Sequence, residues 1–218
     1  MSMRIECTIN TQGQLRMRLL TAEDGHDLRL RDVLISRPPR MDLLDPNIVF
    51  LASLLLFGPR LSGDITTNLD ISESTRGRAE EIWKRHFTVE TDDGASCFAA
   101  QLEPATTDGR TLQVTARSLS MARREDDTSV LQVLPSDLFT GTLSTLFDLA
   151  VTSNAGLEGQ QLYGDGGETV GVIAVASCFA PAFNASVLSL HDDLPLVTLD
   201  EAQLSTLGAM GLELRFQE

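Results

Sequence analysis

Apolar and polar residues alternate at Met3, Ile5, Cys7 and Ile9 and again at Leu15, Met17 and Leu19, with Thr11-Gln12-Gly13 between the runs. A period of two turns one side of each segment toward a core, so residues 3–9 and 14–20 are predicted to form a β-hairpin. A third strand is expected over 28–35, and Pro38-Pro39 ends the extended chain. The pattern then changes. Asp45-Pro46 offers an N-cap acceptor and a proline at the first helical position, and residues 48–57 are apolar on every side, which predicts a buried helix closed by Gly58-Pro59. A short strand over 64–71 comes next, followed by an amphipathic helix opened by Ser72 and running to about Arg85, with Ala79, Ile82 and Trp83 on one face. Strands over 87–90 and 96–102 complete a βαβαββ order between 28 and 102.

The second half follows with strands over 111–118 and 129–134, a helix from Ser136-Asp137 to about Thr152, and a glycine-rich loop over 154–167. An apolar helix over 168–179 stops at Ala180-Pro181; a strand over 186–190, a helix over 198–207 and a last strand over 212–216 follow. Laying 49–66 on 171–188 without gaps brings Ala52 onto Ala174, Phe57 onto Phe179 and Pro59 onto Pro181, and the same helix, proline, strand, helix and strand follow in both places. Such a period suits a duplicated unit. The expectation is one α/β domain over 1–218, with repeat-like units at about 28–104 and 111–218 after an N-terminal hairpin, right-handed crossovers and helices packed on the sheet.

Composition adds limits. The chain has 218 residues, of which 42% are hydrophobic, enough for an ordinary core. Its longest apolar run, 48–57, falls well short of the roughly 18 residues of a membrane span, and the first residues lack the apolar centre of a signal peptide, so a cytoplasmic location is expected. With 31 acidic against 17 basic residues the net charge is -14, which disfavours nucleic acid and anionic membranes as partners. Cys7, Cys97 and Cys178 are widely separated and read as reduced core residues; the small apolar neighbours of Cys178 would raise its pKa. The arginine groups at 29–40, 76–85 and 117–124 read most simply as solvated faces. His191-Asp192-Asp193 reads as a solvated turn rather than a cation site, and neither a metal nor a cofactor is expected. Residues 156–167 contain no phosphate-cradling glycine motif, and no nucleophile elbow occurs.

Several segments carry a resemblance. Ala52-Ser53-Leu54-Leu55-Leu56-Phe57-Gly58, then Ile65-Thr66-Thr67-Asn68-Leu69, the cap Ser72-Glu73-Ser74-Thr75, and Ala79-Glu80-Glu81-Ile82-Trp83 resemble the first unit of the enolpyruvyl transferase family. In the enolpyruvylshikimate-phosphate synthases of that family, an apolar helix ends in glycine, a strand reads Ile-x-Asn-Leu and a hydroxyl-bearing cap opens the next helix. Pro135-Ser136-Asp137-Leu138-Phe139-Thr140-Gly141 is similar to the family's Gly-Asp-Ile-Ser-Ser-Ala turn, Glu168 to Ala180 to its Asp-led helix, and Leu204-Ser205-Thr206-Leu207-Gly208-Ala209 to its Leu-x-x-Leu-Gly-Ala helix end.

The resemblance implies transfer of a carboxyvinyl group from phosphoenolpyruvate to a hydroxyl, with a carboxylate as acid/base and Lys or Arg holding the anions. It places Glu168 at the catalytic acid and Asp137 with Thr140 on the phosphate-binding turn. The family's Lys-Ser before the first helix is Leu43-Leu44 here, leaving Arg40 or Arg37 as the nearest replacement, and its Lys-Glu-x-Asp-Arg is Asp192-Asp193-Leu194-Pro195-Leu196. Each uncompensated phosphate contact would cost about 2–5 kcal/mol. Two readings follow: a carboxyvinyltransferase-like enzyme acting on a small anionic or hydroxylated metabolite, and a non-catalytic binding or assembly subunit on the same fold. The family's cleft lies between two similar domains, so a homo-oligomer or a partner subunit would be needed to complete one.

Overall fold

A computed structural model describes residues 2–23, 26–36, 44–90, 109–116, 128–144 and 148–217. The alternating N-terminal segments form β1 (Ser2–Ile9) and β2 (Leu15–Glu23), paired antiparallel. Asn10 sets the turn: its Oδ1 accepts from the N–H groups of Gln12 and Gln14, and Gly13 takes φ 76°. β3 (His26–Ile35) adds antiparallel to β2. One face of this ribbon buries Met3, Ile5, Cys7, Leu15, Met17 and Leu19. The other carries charge, with Glu6 directly opposite Arg18 and bonded to it at 3.0 Å, and with Arg16 gripping Asp32 through two guanidinium nitrogens.

Two apolar helices occupy the centre. α1 (Pro46–Phe57) is capped by the Asp45 carboxylate, which accepts from the Asn47 N–H at 2.7 Å, and α4 (Gly167–Phe179) packs beside it. Apart from Asn47, Ile48 and Glu168, every residue of the two helices is buried. At about 1.5–3 kcal/mol for each large side chain removed from water, this pair contributes a large share of the apolar stabilisation. Each helix runs into a 3-10 turn with proline second, Gly58–Arg60 and Ala180–Phe183. A strand, a helix and a strand follow each: β4 (Ile65–Thr67), α2 (Glu73–Trp83) and β5 (Phe87–Val89) in the first half, β10 (Ala185–Leu190), α5 (Glu201–Ala209) and β11 (Glu213–Phe216) in the second.

The two halves also pair alike. Ile65 of β4 lies between Met3 of β1 and Phe87 of β5, all parallel. Val187 of β10 lies between Thr111 of β6 (Arg110–Thr115) and Glu213 of β11, again parallel. The alignment that superposes Pro59 on Pro181 also superposes Ile65 on Val187. The first-half strand that flanks β4 is therefore β1, whereas the 28–35 segment belongs to the antiparallel ribbon.

Among the described residues eleven strands, including β7 (Ser129–Pro135), β8 (Thr142–Ser144) and β9 (Asp148–Ser153), join one mixed sheet, in the order β11-β10-β6-β7-β9-β3-β2-β1-β4-β5, with β8 alongside β9. Laid flat, ten strands would span about 43 Å. Yet α2 and α5, which pack on the outermost strands, touch each other, and Trp83 Nε1 donates to Thr206 Oγ1 at 3.0 Å. The sheet therefore curves around the helices. Its seam is the β3–β9 junction, where only Ile35 and Ser153 pair. Side chains complete that join: Ser153 Oγ donates to Leu34 O at 2.8 Å, and Ser36 Oγ accepts from the Thr152 N–H at 2.7 Å.

Two expectations differ from the structure. The helix expected from Ser136 to Thr152 is a turn at 136–138 followed by β8 (Thr142–Ser144) and β9 (Asp148–Ser153). β9 is buried and lies between β7 (Ser129–Pro135) and β8, so its side chains show no alternation to distinguish it from a helix. The glycine-rich loop over 154–167 is largely helical, as α3 (Ala155–Tyr163). Glycines let α3 and α4 meet: a Cβ on Gly159 of α3 would stand 2.1 Å from Gly167 O, and one on Gly171 of α4 2.0 Å from Ala155 O. The strand expected over 96–102 lies outside the described residues, as does Cys97.

Candidate functional site at the carboxyl edge of the parallel strands

β6, β7 and β9 run parallel; β7 and β9 end together, at Pro135 and Ser153, while β6 ends at Thr115, opposite Gln132 of β7. Open α/β sheets bind ligands outside the carboxyl ends of their strands, because the chain leaves there in turns and helix starts that expose polar groups. A recess of about 200 Å³ lies at this edge. It is lined by Ala116, Pro135 and Ser153 at the strand ends, by Ser136 and Asp137 in the turn after β7, and by Gly156 and Gln160 of α3 and Glu168 of α4.

The strand-to-helix junction is held by its own polar residues. Asn154 Oδ1 accepts from the Leu34 N–H at 2.7 Å and its Nδ2 donates to Asp32 O at 2.9 Å, so the side chain continues the β3 pairing where the ladder stops. Ser153 Oγ accepts from the Ala155 N–H at 3.0 Å. Glu168 is half-buried in the first turn of α4, where the helix dipole favours a carboxylate. Its side chain crosses α3 at a glycine: a Cβ on Gly156 would come within 3.2 Å of Glu168 Cγ. Asp137 is exposed in the turn after β7, which is closed by the N–H groups of Leu138 and Phe139 on Pro135 O.

The structure thus brings Glu168 and Asp137 to one recess. Thr140 is exposed between the turn and β8 and does not line it, and Arg40 lies outside the described residues. No lysine or arginine occurs among the described lining residues. Ser153, Asn154 and Gln160 were not legible as lining residues, since a segment read as a loop gives no direction to its side chains; the signal available was Asn154 directly after an apolar run.

The other polar groups singled out in the sequence hold structure. Asp193 Oδ2 accepts from the Ala116 N–H at 3.1 Å and so caps the end of β6, with His191 Nδ1 2.7 Å from Asp192 Oδ1. Among the described residues no three His, Cys, Asp or Glu side chains gather as a metal site. Cys7 and Cys178 are fully buried; burial pushes the Cys7 thiol up to about 12 and raises that of Cys178 as well, which removes thiolate chemistry from both near neutrality. No helix among the described residues is long and apolar enough to cross a membrane. Comparison of the chain with protein-family models, with curated proteins and with solved structures found no match.

Proposed function

We propose that this protein is a non-catalytic binding subunit that takes a small hydroxylated metabolite in the recess at the carboxyl edge of β6, β7 and β9, with Asp137 and Glu168 accepting hydrogen bonds from ligand hydroxyls. The observation that carries the proposal is the pairing of these two carboxylates in one recess whose described lining contains no lysine or arginine. Carboxylates are acceptors only, so they match hydroxyl donors and repel phosphate and carboxylate groups. The recess is smaller than the roughly 300 Å³ at which enclosing ligand pockets begin. Leu138, beside Asp137, and Leu157, on the rim, are both more than half exposed, which supports a second copy or another subunit closing over the ligand.

The test is titration calorimetry of the full chain with an uncharged polyhydroxylated ring, a cyclitol, and, separately, with phosphoenolpyruvate. The expected result is heat from the first ligand only, with affinity at least about tenfold weaker in Glu168→Gln, because a charge-assisted hydrogen bond is lost. Phosphoenolpyruvate binding or enol ether formation that disappears in Glu168→Gln would overturn the proposal and return the carboxyvinyltransferase reading, with Glu168 as acid/base. Silence from both ligands would remove the recess as a site.

A further inference from the structure

A second cavity lies at the other end of α4, and its chemistry differs from that of the recess. The recess meets α4 at Glu168, in the first turn; the cavity meets Ala180 and Pro181, just past the last. It measures about 490 Å³, within the roughly 300–1,000 Å³ over which small molecules are enclosed. Its apolar lining includes Ile48 of α1 and Met210, which follows α5. Both are half-buried, so each keeps apolar surface that a ligand can cover.

The polar lining comes largely from α2, through Ser74, Thr75 and Arg78. Side chains on a helix lean toward its amino end, so Arg78 reaches back over the turn that holds Ser74 and Thr75. It is exposed and forms no hydrogen bond or ion pair with a described residue, whereas Arg76 is paired with Glu73. The acidic residues of the adjoining groove between α2 and α5, Glu81, Asp200 and Glu201, leave it unpaired as well. The lining carboxylate of Asp45 is taken up by the fold: its Oδ1 accepts from the N–H and Nδ2 of Asn47.

This set of groups selects a class of ligand. A guanidinium offers two parallel N–H donors that fit one carboxylate. One cation near the Asp45 carboxylate undercompensates a phosphate dianion, and a net charge of -14 adds to that repulsion. We propose that the cavity is a second binding site, separate from the recess, for an amphipathic monocarboxylate: an apolar ring or branched chain against Ile48 and Met210, with its carboxylate on the Arg78 guanidinium.

The probe is 4-phenylbutanoate, with 4-phenylbutanamide as a neutral molecule of the same shape. Binding to the full chain is measured by titration calorimetry and placed by methyl NMR. Expected are affinity for the acid at least about tenfold above that for the amide, and shifts of the Ile48 and Met210 methyls but not of Leu157 beside the recess. Arg78→Gln should lower the acid to the affinity of the amide and leave the melting temperature unchanged, because Arg78 has no described partner to lose. Arg78→Lys should restore part of the preference. Equal affinity for acid and amide, a preference that survives Arg78→Gln, shifts confined to other methyls, or no binding at millimolar acid would each overturn the assignment.

Discussion

Tyr163, Cys7 and Cys178 share a condition that has a measurable consequence: burial raises the pKa of all three. A group whose folded-state pKa is raised stabilises the fold fully below its unfolded value and loses that contribution as pH rises toward the folded value. For Cys7 the window runs from 9.0 to about 12, and for Tyr163 it opens at 10.0. Urea unfolding is expected to be flat in these terms from pH 7 to 9 and to weaken above it, each group raising the unfolding constant by up to about tenfold per pH unit within its window. Cys7→Ala should make the decline shallower. Tyr163→Phe should do so above pH 10 and also cost about 1–3 kcal/mol at pH 7, because it leaves Leu55 O buried without a donor. A Tyr163→Phe variant as stable as the parent at pH 7 would contradict the role given to that hydroxyl.

At the scale of elements, the glycines of α3, α4 and α5 can be separated by what surrounds them. Gly159→Ala drives a methyl into Gly167 O and should destabilise by about 1–3 kcal/mol through separation of the two helices. Gly208→Ala, in an exposed helix position with nothing within 4 Å, should stabilise by about 0.5–1 kcal/mol. Paired melting curves check both signs. The same glycines explain which elements could be read from sequence. α1 and α2 were legible because Asp45-Pro46 and Ser72 mark their starts with side chains that do cap them. α3 was not, because glycines that local propensity counts against a helix are present for a tertiary contact that local propensity does not contain. β9 was hidden for a related reason: Leu149, Ala150 and Val151 are all buried, so the two-residue period that reveals β1 and β2 is missing. Of the site, Glu168 and Asp137 were legible as polar residues at helix and turn starts. Their meeting depends on β7 and β9 ending side by side against the starts of α3 and α4, which no local pattern encodes.

For the molecule as a whole, the contact between α2 and α5 ties together strands at opposite ends of the sheet. Trp83, the single tryptophan, reports on it directly. A Cβ on Gly58 would stand 2.0 Å from the indole ring, so Gly58→Ala must displace Trp83 from Thr206. The expected outcome is red-shifted tryptophan emission together with a lower melting temperature; an unchanged spectrum would mean that the closure does not depend on this packing.

The central helix pair has a consequence for how the chain is made. α1 is apolar all round and is covered in the folded molecule by α4, which is completed more than a hundred residues later. At ordinary translation speeds the ribosome has finished α1 on the order of ten seconds before α4 emerges. Throughout that interval the side of α1 that α4 covers stays bare in the nascent chain, with only the β1 side able to pack, and the N-terminal half is expected to bind chaperones until the second half arrives.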